Sequence, residues 1–200
     1  MNTKTLCLID NGHGRDCAGK RSPDGKLREW AYTRDVAKEV SDRLYKAGYR
    51  VKLVTPETTD VPLAERVRRV NEATRQNSGD AILISIHLNA AGDGSKWLNA
   101  SGWECYTSKG DTLSDVLAEE LCKAAIEALP KEFTIRTDKS DGDSDKEANF
   151  YILKNTICPA VLTENLFMDS KKDYDFLLSD AGFEAIVKLH VDAIVNYLEK

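Results

Sequence analysis

Strand-like and helix-like periods alternate along almost the whole sequence, and that alternation predicts an α/β fold. Two further observations support it. Ala81-Ile82-Leu83-Ile84-Ser85-Ile86-His87 is a nearly unbroken apolar run rich in β-branched residues, the pattern of a central strand covered on both faces. Punctuating residues also fall where elements should end: Gly12 and Gly14, Gly48, Pro56 and Pro130.

Taken in order, residues 6–10 read as a buried strand that runs into Asn11-Gly12-His13-Gly14. A loop with Gly19, Pro23 and Gly25 leads to a helix near Arg28, striped by Ala37, Val40, Leu44 and Ala47 and stopped by Gly48. Residues 49–54 alternate as a strand. Pro62 stands in the first turn of a second helix carrying Leu63, Val67 and Val70. A polar loop over 88–101 follows the central strand. Next come a strand over 103–107 and a helix striped by Leu113, Val116, Leu117, Leu121 and Ala124, which Pro130 ends. Residues 150–153 and 160–163 are two further strand candidates, and 183–198 form a closing amphipathic helix.

With 200 residues, 42% of them hydrophobic, the chain can bury one sizeable core, and residues 1–200 are expected to form one domain without repeats or linkers. Its 28 Lys and Arg against 33 Asp and Glu give a net charge of −5, which argues against nucleic acid as a partner. No apolar run approaches the roughly 18 residues of a membrane span, so membrane insertion is not expected. Leu6-Cys7-Leu8-Ile9 is too short for the core of a signal peptide, so synthesis in the cytoplasm without one is the expectation. Cys7, Cys17, Cys105, Cys122 and Cys158 are odd in number and lack CxxC spacing; a disulfide scaffold is not expected.

Ligands in open α/β sheets gather beyond the carboxyl ends of the strands. Four candidates stand at or near such ends: His13 after the first strand, His87 closing the third, Glu164 after residues 160–163, and Glu29 at the start of the first helix. Any one could simply be a polar residue leaving the core, but four of compatible chemistry point to a site. Two imidazoles and one carboxylate are the protein donors of a catalytic zinc site whose fourth position goes to water. Zinc acidifies that water and polarises a carbonyl, and a second, non-ligating carboxylate carries the proton to the departing amine. The three histidines are never four apart, which excludes an HExxH helix; ligands would have to come from separate elements.

Other readings are weaker. His190 is four residues from Ile186 and Ile194 and reads as a packed or hydrogen-bonded core histidine. Cys17, four residues after His13, is a rival ligand only in principle and reads as a free thiol. Gly12-His13-Gly14 lacks both the full GxGxxG spacing and a Walker lysine, and no GxSxG or Cys/His pair suggests a nucleophile. Asp141, Asp143 and Asp145 alternate as in a calcium loop, but Lys146 stands where an EF-hand needs glycine and Ile152 where it needs glutamate; the expectation is a solvated loop.

At these residues the sequence resembles the zinc-dependent N-acetylmuramoyl-L-alanine amidases that cut peptidoglycan. The resemblance rests on five ordered segments: Ile9-Asp10-Asn11-Gly12-His13-Gly14; Glu29 opening a helix; Leu63-Ala64-Glu65-Arg66 with Asn71-Glu72-Ala73; Ser85-Ile86-His87-Leu88-Asn89-Ala90; and Pro159-Ala160-Val161-Leu162-Thr163-Glu164-Asn165-Leu166-Phe167. It implies a twisted, mostly parallel sheet of about six strands with helices on both faces. It implies one Zn2+ per chain on His13, Glu29 and His87, in a shallow groove, and Glu164 as the catalytic glutamate. The implied partner is a peptidoglycan strand bearing its peptide stem, cut between N-acetylmuramic acid and L-alanine.

Arg66 and Asn71 match family positions and read as helix scaffolding, while Asn89 reads as a substrate contact or a support for a ligand. Asn165-Leu166-Phe167-Met168-Asp169 departs from the family's Gly-Phe-Leu-Ser-Asn type of run, which bears on the groove wall. Residues 131–148 are too polar to plug that groove. No wall-binding module fits in the remaining residues, so the chain resembles a catalytic domain alone, of the kind found in phage lysins or excised from a secreted autolysin. Two alternatives remain at this level: a metallo-exopeptidase or deacylase with the same donors, and an idle glycan-binding domain.

Overall fold

The computed structural model describes residues 4–140 and 142–200. Its centre is a six-stranded sheet in the order β2-β1-β3-β6-β4-β5. The strands are β1 (Leu6–Asn11), β2 (Arg50–Leu53), β3 (Ala81–Asn89), β4 (Glu104–Thr107), β5 (Lys146–Glu147) and β6 (Ala160–Phe167). Neighbours from β2 to β6 run parallel, whereas β4 is antiparallel to β6 and β5 parallel to β4. The helices are α1 (Glu29–Lys46), α2 (Leu63–Gln76), α3 (Leu113–Ala128), α4 (Tyr151–Asn155), α5 (Lys171–Leu177) and α6 (Asp180–Leu198).

Strand alternation sorts the core into two halves. Cys7, Ile9, Ile82, Ile84, Ile86 and Val161 face the layer built by α1, α3 and α6. Leu8, Ala81, Leu83, Ala160 and Leu162 face α2 and α4, meeting Val67, Val70, Ile152 and Leu153. Both faces of the central strands are therefore covered, which explains their continuous apolar character.

Several sequence readings need correction. Residues 150–153 are not a strand: Phe150 precedes the short helix α4, and the sheet's sixth strand is the two-residue β5. A four-residue apolar run carries too little periodicity to separate strand from helix. Leu113 and Val116 are exposed at 66% and 40%, so only Leu117, Leu121 and Ala124 of the proposed α3 stripe are buried. In α1, Ala47 is exposed. Glu164 lies inside β6 rather than after it, and β3 continues two residues past His87, which was expected to close it.

Past His87 the β3–β6 pairing slips: His87 opposes Glu164, but Asn89 opposes Phe167. The extra residue is a bulge, and Leu166 there has a left-handed backbone with φ 68°. Such a conformation costs a non-glycine residue about 1–2 kcal/mol. The fully buried Leu166 side chain, set in the main core, holds it in place. Among the described residues no helix is long and apolar enough to cross a membrane, and all five cysteines are free.

Candidate active site

The site grows from the carboxyl ends of β1, β3 and β6. After β1 the chain turns through Gly12 into His13, which has a left-handed backbone with φ 53°. Both flanking glycines are required by close approach. A Cβ on Gly12 would lie 2.7 Å from His87 Nδ1 and 2.8 Å from Glu29 Oε1, and one on Gly14 would lie 2.0 Å from Asp60 N. Glu29, in the first turn of α1, brings its carboxylate up to both imidazoles and is 1% exposed.

His87 Nδ1 is 3.1 Å from Glu29 Oε1, and His13 Nε2 is 3.5 Å from Glu29 Oε2. The imidazoles meet edge to face with centroids 5.4 Å apart. Donor atoms of all three residues lie within 4.8 Å of one another, so His13, Glu29 and His87 form a group able to hold a metal. Their environment fits that use. Glu29 Oε2 is buried without a hydrogen-bond donor, a costly state for a carboxylate oxygen unless a cation supplies the missing charge. Burial pulls His13 down to about 4 against the raising effect of Glu29, leaving a neutral ring with a lone pair to donate near pH 7. For His87, burial is outweighed by the hydrogen bond and charge of Glu29 and by the charge of Glu164, and the net shift is upward. Burial acts to raise the Glu29 carboxyl, but its contact with His87 and the charge of His13 hold it below its usual range.

Glu164 sits between two chemically different neighbours. Register sets it opposite His87 on one side and opposite Glu104 on the other. Its Oε2 is buried and has no partner. Burial pushes this carboxyl up to about 7; His87 opposes the rise, and the Glu29 and Glu104 carboxylates add to it. The cleft in front holds His13, His87, Ser85 and Glu164, walled by Leu63, Phe150 and Tyr151, with a volume of about 370 Å³. A larger groove of about 710 Å³ along the β2 edge, near Tyr45, Arg50 and Gln76, contains no comparable convergence of donors.

A buried network holds the β1 end in place. Arg66, 2% exposed, reaches from α2 to both Asp10 oxygens at 3.1 and 3.3 Å, to the Asn11 carbonyl at 2.5 Å and to Val61. Asp10 also accepts from Thr55 and Ser85. Arg66 therefore ties α2 to the strand that delivers His13, a larger task than scaffolding its own helix. Asn71 does act as scaffold, bonding Asn155 and Ile157 at the end of α4. Asn89 donates to Glu104 at 2.6 Å and accepts from Ala90 N.

Four further residues were not singled out from sequence. Arg34, five positions after Glu29, donates to the His13 carbonyl at 2.8 Å; an arginine on an amphipathic helix ordinarily reads as solvent-facing. Glu104 collects Asn89, Tyr106, Arg136 and Lys146 around one buried carboxylate. These contacts, led by Lys146 and Arg136, overcome burial and keep it below the usual range. Asn165 donates to the His87 carbonyl and accepts from Trp103 Nε1, so the departure from the family run falls beneath the sheet rather than on the groove wall. Thr163, opposite Cys105, pairs with His190 Nε2 at 2.9 Å; His190 is fully buried on the helix side and stands outside the metal-type group. Cys17 meets Gly14 N and also stands outside that group.

Two imidazoles and a carboxylate able to hold a divalent ion, beside a second buried carboxylate, suit a hydrolase of α/β architecture. A family model described as N-acetylmuramoyl-L-alanine amidase matches residues 7–196, and the chain belongs to that family. It is 30% identical over 196 residues to the N-acetylmuramoyl-L-alanine amidase CwlM of Bacillus licheniformis, covering 94% of this chain and 67% of that protein. It is 28% identical over 195 residues to the endolysin of Bacillus phage SPP1, covering 96% and 66%. The chain thus spans about two thirds of the length of both relatives. The fold is that of the amidase AmiC2 of Nostoc punctiforme, with a TM-score of 0.81, 22% identity and complete coverage of both chains.

Proposed function

We propose that the chain hydrolyses the amide between N-acetylmuramic acid and L-alanine in peptidoglycan, with one Zn2+ held by His13, Glu29 and His87 and with Glu164 moving the proton. The observation that carries this reading is the pairing of Glu164, its Oε2 buried and unpartnered, directly beside His87 at the cleft. Family membership supplies the bond and the substrate class. Zinc, when bound, supplies Lewis-acid polarisation of the scissile carbonyl and acidifies the attacking water.

The chain's own residues do the rest. His13 offers a neutral nitrogen donor, His87 offers one when the ion takes the place of its proton, and the buried Glu29 carboxylate offsets the ion's charge. Glu164, raised to about 7, is poised to accept the water's proton and return it to the leaving amine nitrogen. Asn89 and Glu104 act behind it: Asn89 orients Glu104, and the Glu104 carboxylate helps raise Glu164. We assign Asn89 to this support rather than to substrate. Leu63, Phe150 and Tyr151, each partly exposed, offer an apolar wall to the lactyl and stem-peptide carbons. With a net charge of −5, long-range attraction to an anionic wall is weak, so recognition belongs to the groove.

Digestion of purified sacculi by zinc-loaded protein tests the reading. New N-terminal L-alanine without new reducing sugar ends is the expected result. Release of free amino acids or acetate instead would overturn the bond assignment in favour of an exopeptidase or a deacylase.

A further inference from the structure

A second cluster of carboxylates lies away from this site. Asp145 immediately precedes β5, Asp143 lies in the loop before it, and Asp115 comes from the first turn of α3 about 30 residues earlier. One carboxylate oxygen from each lies within 4.8 Å of the others. Much of this loop is solvated, as its composition suggests, but Asp145 is only 1% exposed. Its Oδ2 accepts from Thr107 at 2.7 Å, while its Oδ1 is buried without any donor. Three carboxylates gathered in this way repel one another unless a cation or a proton intervenes. Burial, with the charges of Asp143 and Asp115, pushes Asp145 up to about 7.

The geometry points to a calcium site formed by Asp115, Asp143 and Asp145, which clips the strand β5 to the start of α3. An all-carboxylate donor set selects a hard cation over zinc, and oxygens within 4.8 Å of one another suit Ca–O bonds of about 2.4 Å. Calcium also tolerates the irregular geometry of a loop-built site, where magnesium demands a near-octahedral one. Proximity to the active centre gives the site a consequence. Lys146, the next residue, bonds Glu104, the neighbour of Glu164, so fixing Asp145 steadies that flank of the cleft. The linear EF-hand pattern misses this site because one carboxylate arrives from a distant helix. Whether calcium binds does not depend on the amidase reading.

The test is thermal unfolding of zinc-loaded protein in calcium-free buffer, with Ca2+ or Mg2+ then added to about 10 mM, well above the roughly 0.1–1 mM Kd of extracellular calcium modules. Calcium is expected to raise Tm by roughly 3–10 °C. Asp145→Asn and Asp143→Asn should fold in calcium-free buffer, Asp145→Asn with a Tm at least that of the parent because a like charge is gone, and both should lose the calcium shift. No shift in the parent, a shift that survives in both variants, or an equal shift with magnesium would each overturn the site.

Discussion

One sheet carries two unlike faces. Toward α1, α3 and α6, β3 presents Ile82, Ile84 and Ile86, all but fully buried, and β6 presents Val161, then Thr163 bonded to His190. Toward α2 and α4 the same strands present Leu83, Ser85 and His87, and Leu162 and Glu164. The second face thus turns from apolar to reactive within two residues, where the helix cover stops and the cleft begins. Parity along each strand decides which side chains are held by packing, and register decides which reactive groups become neighbours. Even the histidines divide this way: His190 is a core residue on the helix face, while His13 and His87 meet at the cleft.

The faces should respond differently to damage. Arg66→Met leaves Asp10 buried without its cation and should destabilise the fold by about 3–5 kcal/mol in urea titration. It should also weaken zinc binding, since the β1 end that carries His13 loses its tie. Ile84→Ala on the opposite face should lower stability by about 2–5 kcal/mol through the cavity it leaves. Zinc affinity and turnover of the folded fraction should stay at parental values; a change in either would break the division drawn between the faces.

Gly12→Ala should have the reverse signature. Its new Cβ presses on His87 Nδ1 and Glu29 Oε1, so competition with a chelator should report zinc affinity about 10–100-fold weaker with little loss of stability. A pH dependence is expected as well. Because the folded state raises the Glu164 carboxyl from 4.5 to about 7, its contribution to stability is full below pH 4.5 and is lost as pH rises through 7. Melting curves of zinc-free protein should therefore show Glu164→Gln gaining on the parent between pH 4.5 and 7, then holding a constant lead. A gap independent of pH would remove the upward shift.

Much of this was legible in the sequence, for a physical reason. Apolar runs such as 81–87 carry the strands, and the glycines flanking His13 mark a close approach that only glycine allows. His13, Glu29 and His87, singled out by residue type and position at element ends, do converge in space. What stayed hidden depends on contacts between distant segments. Glu104 looked like one residue of a short strand until antiparallel pairing set it beside Glu164. Arg34 and Asn165 touch backbone carbonyls of His13 and His87, and such contacts leave no periodic trace. The run 150–153 failed because four apolar residues satisfy a strand and a single helical turn equally well.

Holding the metal and moving the proton fall to different residues, and Glu164→Gln separates the two most directly. Zinc content and amidase turnover should be measured on the same purified sample. One zinc per chain with turnover lowered about 10²–10⁴-fold is the expected result. Turnover within tenfold of the parent, or loss of the zinc, would contradict the division of labour between Glu164 and the His13, Glu29 and His87 group.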